Sequence, residues 1–469
     1  MSVPRIVVAA PASGAGKTTV ATGLMAALRR SGLKVAAFKV GPDYIDPGFH
    51  AVATGGPGRN LDPMLSGEER VAPLFAHGAT GADLAVVEGV MGLYDGALGT
   101  DGFASTAHVA GLLDAPVVLV VDASAAGRSV GAVVAGFCAY GAYDERHLRI
   151  SGVILNKVGS DRHEAEVRAG VEPTGIPVLG VLRRDAQLAV PSRHLGLVPA
   201  DEERAQADAA VAAAAELVRT GVDLEAFVTA AKHAPPRHVT PWDAAVEIAS
   251  VVTPTPPGDA AGVRQATVSE RPVVAVAGGP VFSFRYAETA ELLTAAGADV
   301  ATFDPVRDES LPEATAALYL GGGFPEVHAE ALSANAALRT QVATAVAGGL
   351  PVVAECAGLL YLCRDLDGHP MAGAVPASAR MTPRLTLGYR TAVAATPGPL
   401  YDEGRRVRGH EFHRTTVTYD AGRAPAWHLP DGPEGVVTPN LLASYLHLHW
   451  TATPDVPARL VAAARRWAS

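Results

Sequence analysis

The sequence predicts two α/β domains, each built on a mainly parallel sheet, and three observations carry that expectation. Short β-rich runs alternate with alanine-rich helical segments, a strand–glycine loop–helix motif opens the chain, and a proline-rich stretch interrupts the alternation halfway. Alternation of this kind is how βαβ units and parallel sheets appear in sequence.

The first set of runs is Ile6–Ala10, Val35–Val40, Leu84–Glu88, Val117–Asp122, residues 152–156 and residues 178–181, followed by a helical stretch over 201–231. Between 233 and 270 lie Pro235, Pro236, Pro241, Pro254, Pro256 and Pro257, with a short helical patch near 242–248. Proline fixes φ and removes a donor, so this stretch reads as an extended linker. A second set begins at Val273–Ala277, passes through a helix near 286–296, and continues with strands at Asp299–Phe303, 317–320 and 351–355. The expected domains are therefore 1–232 and 271–469.

Composition narrows the function. With 469 residues, 49% apolar and 18% charged, the chain is long enough for two cores and is not disordered. A net charge of −10 argues against wholesale binding of nucleic acid or anionic membrane. No run of about twenty apolar residues offers a membrane span, and the N-terminus lacks a signal-like apolar core. Three irregularly spaced cysteines, Cys138, Cys356 and Cys363, point to a reducing compartment, so a soluble cytoplasmic protein is expected.

The opening motif is a phosphate site. Ser13, Gly14, Ala15, Gly16, Lys17, Thr18 and Thr19 follow a strand and start a helix. Glycines let backbone N–H groups turn inward around phosphate oxygens, and the helix N-terminus adds a favourable dipole. Lys17 is placed to reach the outer phosphates of ATP and Thr18 to ligate Mg²⁺. The motif departs from the usual pattern at Pro11, where a glycine is customary, and Ala12 stands where partitioning-type switch ATPases carry a signature lysine. Other strand ends are expected at the same pocket, because doubly wound sheets gather ligands at their carboxyl ends. There, Lys39 is placed to neutralise phosphate, Glu88 to bind metal or its water, and Asn156 to read the base. Asp122 suits either a Walker B part or a helix cap.

A second site is a thiol. Leu350 to Leu360 places Cys356 where an apolar strand turns into a helix, with Ala357 and Gly358 next. Such a turn exposes a nucleophile above a helix N-terminus, which lowers its pKa. Upstream, Gly321, Gly322 and Gly323 end another strand, and the N–H groups of Gly322 and Gly323 suit an oxyanion hole. Downstream, His447 is the expected base for Cys356. Cys138 and Cys363 read as core.

Four segments together resemble the cobyrinate/hydrogenobyrinate a,c-diamide synthase family (CobB/CbiA). They are Gly41-Pro42-Asp43-Tyr44-Ile45-Asp46-Pro47, Glu88 to Gly96, Gly321 to Glu326, and Gly409-His410-Glu411-Phe412-His413, and the resemblance runs through the whole chain. It implies a dethiobiotin-synthetase-like P-loop domain followed by a class I glutamine amidotransferase-like domain. It also implies amidation of the a and c acetates of a corrinoid polycarboxylate with ATP and L-glutamine, Cys356 supplying ammonia that passes sheltered to an acyl phosphate. The alanine-rich wording is closer to members that use cobalt-free hydrogenobyrinic acid than cobyrinic acid. On this resemblance Asp43, Tyr44, Ile45, Asp46 and Asp95 line the substrate side, Asp43 joins Thr18 and Glu88 at Mg²⁺, and a homodimer is left open. Two departures stand out: Gly278-Gly279 replaces an Arg-Asp pair found in many members, and His449 sits where class I glutaminases have the glutamate of His-x-Glu. The acid partner of His447 and the role of the 409–413 motif are therefore unassigned. Competing expectations are amidation of another tetrapyrrole, such as a cobyric acid or nickel sirohydrochlorin route, or a P-loop switch carrying an inactive glutaminase domain.

Overall fold

The computed structural model describes residues 2–143, 148–184, 192–193, 196–251 and 271–469. They divide into two compact units, Met1–Trp242 and Asp243–Ser469.

The first unit is a parallel sheet of β1 (Arg5–Ala9), β2 (Val35–Val40), β3 (Arg59–Leu61), β4 (Leu84–Glu88), β5 (Val117–Asp122), β6 (Ile150–Val158) and β7 (Val178–Arg183), in the order β3-β2-β4-β1-β5-β6-β7. Most strand residues are valine, leucine, isoleucine or alanine and are buried, as a sheet covered on both faces requires. The register matters for function: Val8 pairs with Glu88, and Glu88 pairs with Lys39. Thus the end of β1, where the phosphate loop begins, is flanked by Glu88 and then Lys39 across the carboxyl edge. The helix Lys17–Arg30 follows the loop and buries Val20, Leu24, Met25 and Leu28. Gly23 lets it approach the helix Arg204–Gly221 closely, because a Cβ there would strike Ala214 O.

The stretch read as a linker divides among these units. Arg5 donates to Pro235 O at 2.7 Å, Arg237 to Leu112 O at 2.7 Å, and Trp242 N–H to Pro73 O at 3.0 Å, so residues 233–242 are attached to the first unit. A helix, Ala244–Val251, begins the second unit; residues 252–270 lie outside the described residues.

The second unit has parallel strands Asp299–Phe303, Val273–Ala277, Thr315–Leu320, Val352–Glu355 and Leu441–Ser444, in that spatial order, with Val436–Val437 antiparallel at the edge. A further sheet is built on the long hairpin of Ala377–Ala394 with Arg406–Tyr419, and the second of these strands pairs antiparallel with His447–Leu448. That pairing carries the 409–413 motif to His447. Among the described residues, no helix is long and apolar enough to cross a membrane.

Candidate functional site

The phosphate loop is shaped by two glycines in the left-handed region, Gly14 (φ 82°) and Gly16 (φ 88°), the second directly before the helix. A side chain at Gly16 would strike the Asn156 amide. Ser13 and Gly14 are exposed, and Ala15 and Lys17 are buried. Lys17 Nζ donates to Met91 O at 2.6 Å, which ties the loop to the turn after Glu88. Burial and the neighbouring Lys39 push the Lys17 ammonium down to about 8.

Behind the loop lies a buried ionic cluster. The Thr18 hydroxyl donates to Glu88 Oε1 at 2.7 Å and lies 3.4 Å from Asp46 Oδ2. Lys39 Nζ contacts the same two oxygens, Asp46 Oδ2 and Glu88 Oε1 (2.9 Å), and donates to Gly89 O at 3.1 Å. His50 Nε2 sits 2.6 Å from Glu88 Oε2. Burial opposes charge on Glu88, yet Lys39 and His50 outweigh it and hold the carboxyl below its usual range. Asp46 goes the other way, pushed up by burial and by Asp43 and Glu88. Two carboxylates and a hydroxyl that converge at these distances form a hard-oxygen set. They fit Mg²⁺, which takes one or two protein carboxylates and fills its other positions with phosphate and water.

The other predicted residues take the following places. Asp43, expected at the metal, uses Oδ1 to accept the N–H groups of Ile45 (2.7 Å) and Asp46 (3.0 Å) at a helix start; Asp46 is the carboxylate that reaches Thr18. Asn156, expected to read the base, donates to Ala15 O at 2.9 Å and accepts from Lys157 N–H, so its amide props the loop. Asp95 is exposed and closes a turn by accepting from Gly92 N–H at 2.9 Å. Tyr44 and Ile45 are buried at the start of the helix Ile45–Thr54. Asp122 accepts from Lys157 Nζ at 2.7 Å and from Ser124 N–H, and Lys157 Nζ also reaches Gly14 O. His50 was missed, although it lies four residues after Asp46 and so on the same helical face.

The thiol site lies wholly in the second unit. Cys356 adopts φ 49° and ψ −99°, a region side chains rarely occupy, between the strand Val352–Glu355 and the helix Ala357–Leu362. Its N–H donates to Ser444 O at 2.7 Å, which pins the turn. Gly358 permits the helix to leave at once, since a Cβ there would strike Leu320 O. Burial and Glu326 push the thiol up, while the N–H groups of Gly323 and Ala357 favour the thiolate. Those two N–H groups face the sulfur. Gly322 serves the site in another way. Its carbonyl accepts from Phe284 N–H at 3.1 Å, and a Cβ on it would strike His447 Cε1.

The strand Arg406–Tyr419 links Cys356 and His447. His410 pairs with His447, and Phe412 O lies 4.0 Å from Cys356 Sγ, two residues or about 7 Å further along. Gly409 lacks a side chain because one would strike Leu446. Glu411 is salt-bridged to Arg390, and His413 stacks on Tyr445 with ring centroids 3.7 Å apart. The motif thus builds the wall around His447. His447 is fully buried, and burial with His410 and His413 pushes it down to about 3, so its imidazole is neutral, as a base requires. His449 is engaged elsewhere, 2.7 Å from Thr451 Oγ1 and 3.8 Å from Glu288 Oε2.

Known proteins resemble both units. Residues 6–198 match the CobQ/CobB/MinD/ParA nucleotide binding domain, and residues 273–455 match the CobB/CobQ-like glutamine amidotransferase domain. The hydrogenobyrinate a,c-diamide synthase of Thermobifida fusca is 57% identical over 473 residues, covering 98% of this chain and 97% of that protein. The protein of the same name from Streptomyces coelicolor is 56% identical over 476 residues, with 98% and 97% covered. The cobyrinate a,c-diamide synthase of a Synechococcus strain is 40% identical over 460 residues, with 96% of each covered. The chain belongs to the hydrogenobyrinate/cobyrinate a,c-diamide synthase family.

Proposed function

We propose that the chain catalyses ATP- and glutamine-dependent amidation of the a and c acetate carboxylates of hydrogenobyrinic acid. The observation that carries this reading is the 57% identity, over 98% of the chain, to a hydrogenobyrinate a,c-diamide synthase. The lower identity of 40% to a relative named for cobyrinate favours the cobalt-free corrinoid. Free cysteines and the use of ATP suit a cytoplasmic enzyme.

In this reading residues 13–19 and Lys17 hold the triphosphate, and Thr18, Asp46 and Glu88 hold Mg²⁺, which neutralises phosphate charge when bound. A substrate carboxylate attacks the γ-phosphorus to give an acyl phosphate and ADP, with Lys39 offsetting the charge that gathers there. In the second unit Cys356 attacks the glutamine amide carbon, its proton passes to His447, and the N–H groups of Gly323 and Ala357 hold the oxyanion. Ammonia leaves, water cleaves the thioester, and the ammonia displaces phosphate from the activated acetate.

Mass spectrometry of hydrogenobyrinic acid incubated with the protein, MgATP and glutamine tests the reading. Gain of two amides that needs all three components supports it. Turnover of ATP or glutamine with amidation of cobyrinic acid alone would move the substrate, and no turnover of either would reject the activity.

A further inference from the structure

Class I glutaminases orient the catalytic histidine with an acid two positions after it, and here that position is His449, held by Thr451 and near Glu288. The structure offers a carboxylate from another direction. Glu355 ends the strand Val352–Glu355, is 2% exposed, and directs Oε2 to within 4.0 Å of His447 Nδ1. Its own position is fixed: the Tyr319 hydroxyl donates to Oε2 at 3.2 Å, and the Leu448 N–H, next to His447 in the chain, also favours its charged form. Glu411, the acid nearest to His447 on the paired strand, is tied to Arg390. We propose that Glu355, the residue immediately before the nucleophile, is the positioning acid for His447.

The inference rests on the reading of Cys356 as the glutaminase nucleophile and deepens it. A carboxylate at Nδ1 makes that nitrogen the donor and leaves Nε2 as the acceptor that a thiol proton needs. As sulfur bonds to the amide carbon, the C=O electron pair moves to oxygen and the thiol proton moves to Nε2. The imidazolium so formed is buried, and charge buried alone is costly. Glu355 supplies the opposite charge at the moment it is needed. The proton then passes to the amide nitrogen, the C–N bond breaks, and ammonia leaves with that electron pair. A separation of 4.0 Å is looser than a hydrogen bond, as is common for catalytic pairs before substrate binds. Burial pushes Glu355 up to about 8 and, with His410 and His413, pushes His447 down to about 3; the ionised Glu355 that the Nδ1–H tautomer needs is favoured by the Tyr319 hydroxyl and the Leu448 N–H, and more so once the imidazolium forms. One consequence is economical geometry: a single strand end delivers nucleophile and orienting acid in successive residues.

The test uses the full-length chain and four proteins: parent, Glu355→Gln, Glu355→Asp and Cys356→Ala. Glutamine hydrolysis, ammonia-supported synthesis, melting temperature and the rate of Cys356 alkylation by iodoacetamide are measured on each. Glu355→Gln is expected to lower kcat for glutamine by roughly 10²–10⁴-fold, the scale on which losing an orienting acid acts in the serine hydrolase triad. The glutamine KM, melting temperature and ammonia-supported synthesis are expected to stay near the parent values. Alkylation should slow in Glu355→Gln, and Glu355→Asp should regain part of kcat. Glu355→Gln within about threefold of the parent kcat would overturn the proposal. So would equal losses in Glu355→Gln and Glu355→Asp accompanied by a lower melting temperature, since that pattern is structural. Persistent glutamine hydrolysis in Cys356→Ala would instead remove the nucleophile assignment on which the proposal stands, a distinguishable failure.

Discussion

The Lys39 ammonium and the Glu88 carboxylate meet 2.9 Å apart at the carboxyl edge of the first sheet, where strand register sets one opposite the other. Glu88 Oε1 accepts from both Lys39 and Thr18, and Oε2 faces His50. An sp² carboxylate oxygen has two lone pairs, so a metal on Oε1 must replace one of these donors. Lys39 therefore stands where part of a divalent cation's charge would act.

Lys39→Met should leave Asp46 and Glu88 buried beside each other without the Lys39 ammonium, at a cost of about 3–5 kcal/mol. Millimolar Mg²⁺ should restore part of that loss in the variant and add little to the parent. Urea unfolding of both proteins with and without Mg²⁺ checks this. Destabilisation that Mg²⁺ does not relieve would separate Lys39 from the metal ligands.

Lys17 has a pKa brought down to about 8 by burial and by Lys39, and triphosphate beside it would raise it again. MgATP binding should then take up protons above pH 8, where the free protein has lost part of the Lys17 proton and the complex retains it. Below pH 8 both forms are protonated and affinity is flat in this respect; as pH rises through 8, affinity falls. Calorimetry in buffers of different ionisation enthalpy reads the uptake directly. A proton count of zero at about pH 8.5 would show that the phosphates do not sit on this ammonium.

Asn156→Ala separates loop support from base recognition. The amide braces Ala15 O and packs on Gly16, so its loss should weaken ATP and GTP by the same factor, on the order of tenfold for one lost buried hydrogen bond. Competition binding of the two nucleotides measures the ratio. A selective loss of ATP would return Asn156 to the base.

Much of this architecture was legible in sequence because it depends on local chemistry. The loop needs Gly14 and Gly16 for positive φ, and the elbow needs small residues after Cys356, so both stand out in one dimension. What was hidden depends on register and long-range pairing. Asp43 and Asp46 are equally acidic in sequence, and only the helix start, which occupies Asp43 Oδ1, tells them apart. His410 meets His447 through antiparallel pairing across 37 positions, and Gly322 lacks the side chain that would collide with His447. Glu355 was visible next to Cys356, but nothing local says which way a strand-end carboxylate points.

The elbow itself makes the last prediction. Cys356 holds φ 49° and ψ −99°, a strained conformation that costs a non-glycine residue about 1–3 kcal/mol. Cys356→Ala removes the sulfur and keeps the strain; Cys356→Gly removes the same sulfur and sheds it. The glycine variant should therefore be more stable than the alanine variant by about 1 kcal/mol, after allowing for the freer unfolded chain of glycine. Both should lack glutamine-dependent synthesis and retain ammonia-dependent synthesis. Urea midpoints of the two variants decide it. Equal midpoints would mean that the turn relaxes without its thiol. A higher midpoint for glycine would show that the fold holds the nucleophile in an unfavourable backbone state against its own stability, with the Ser444 and Gly358 contacts supplying the restraint.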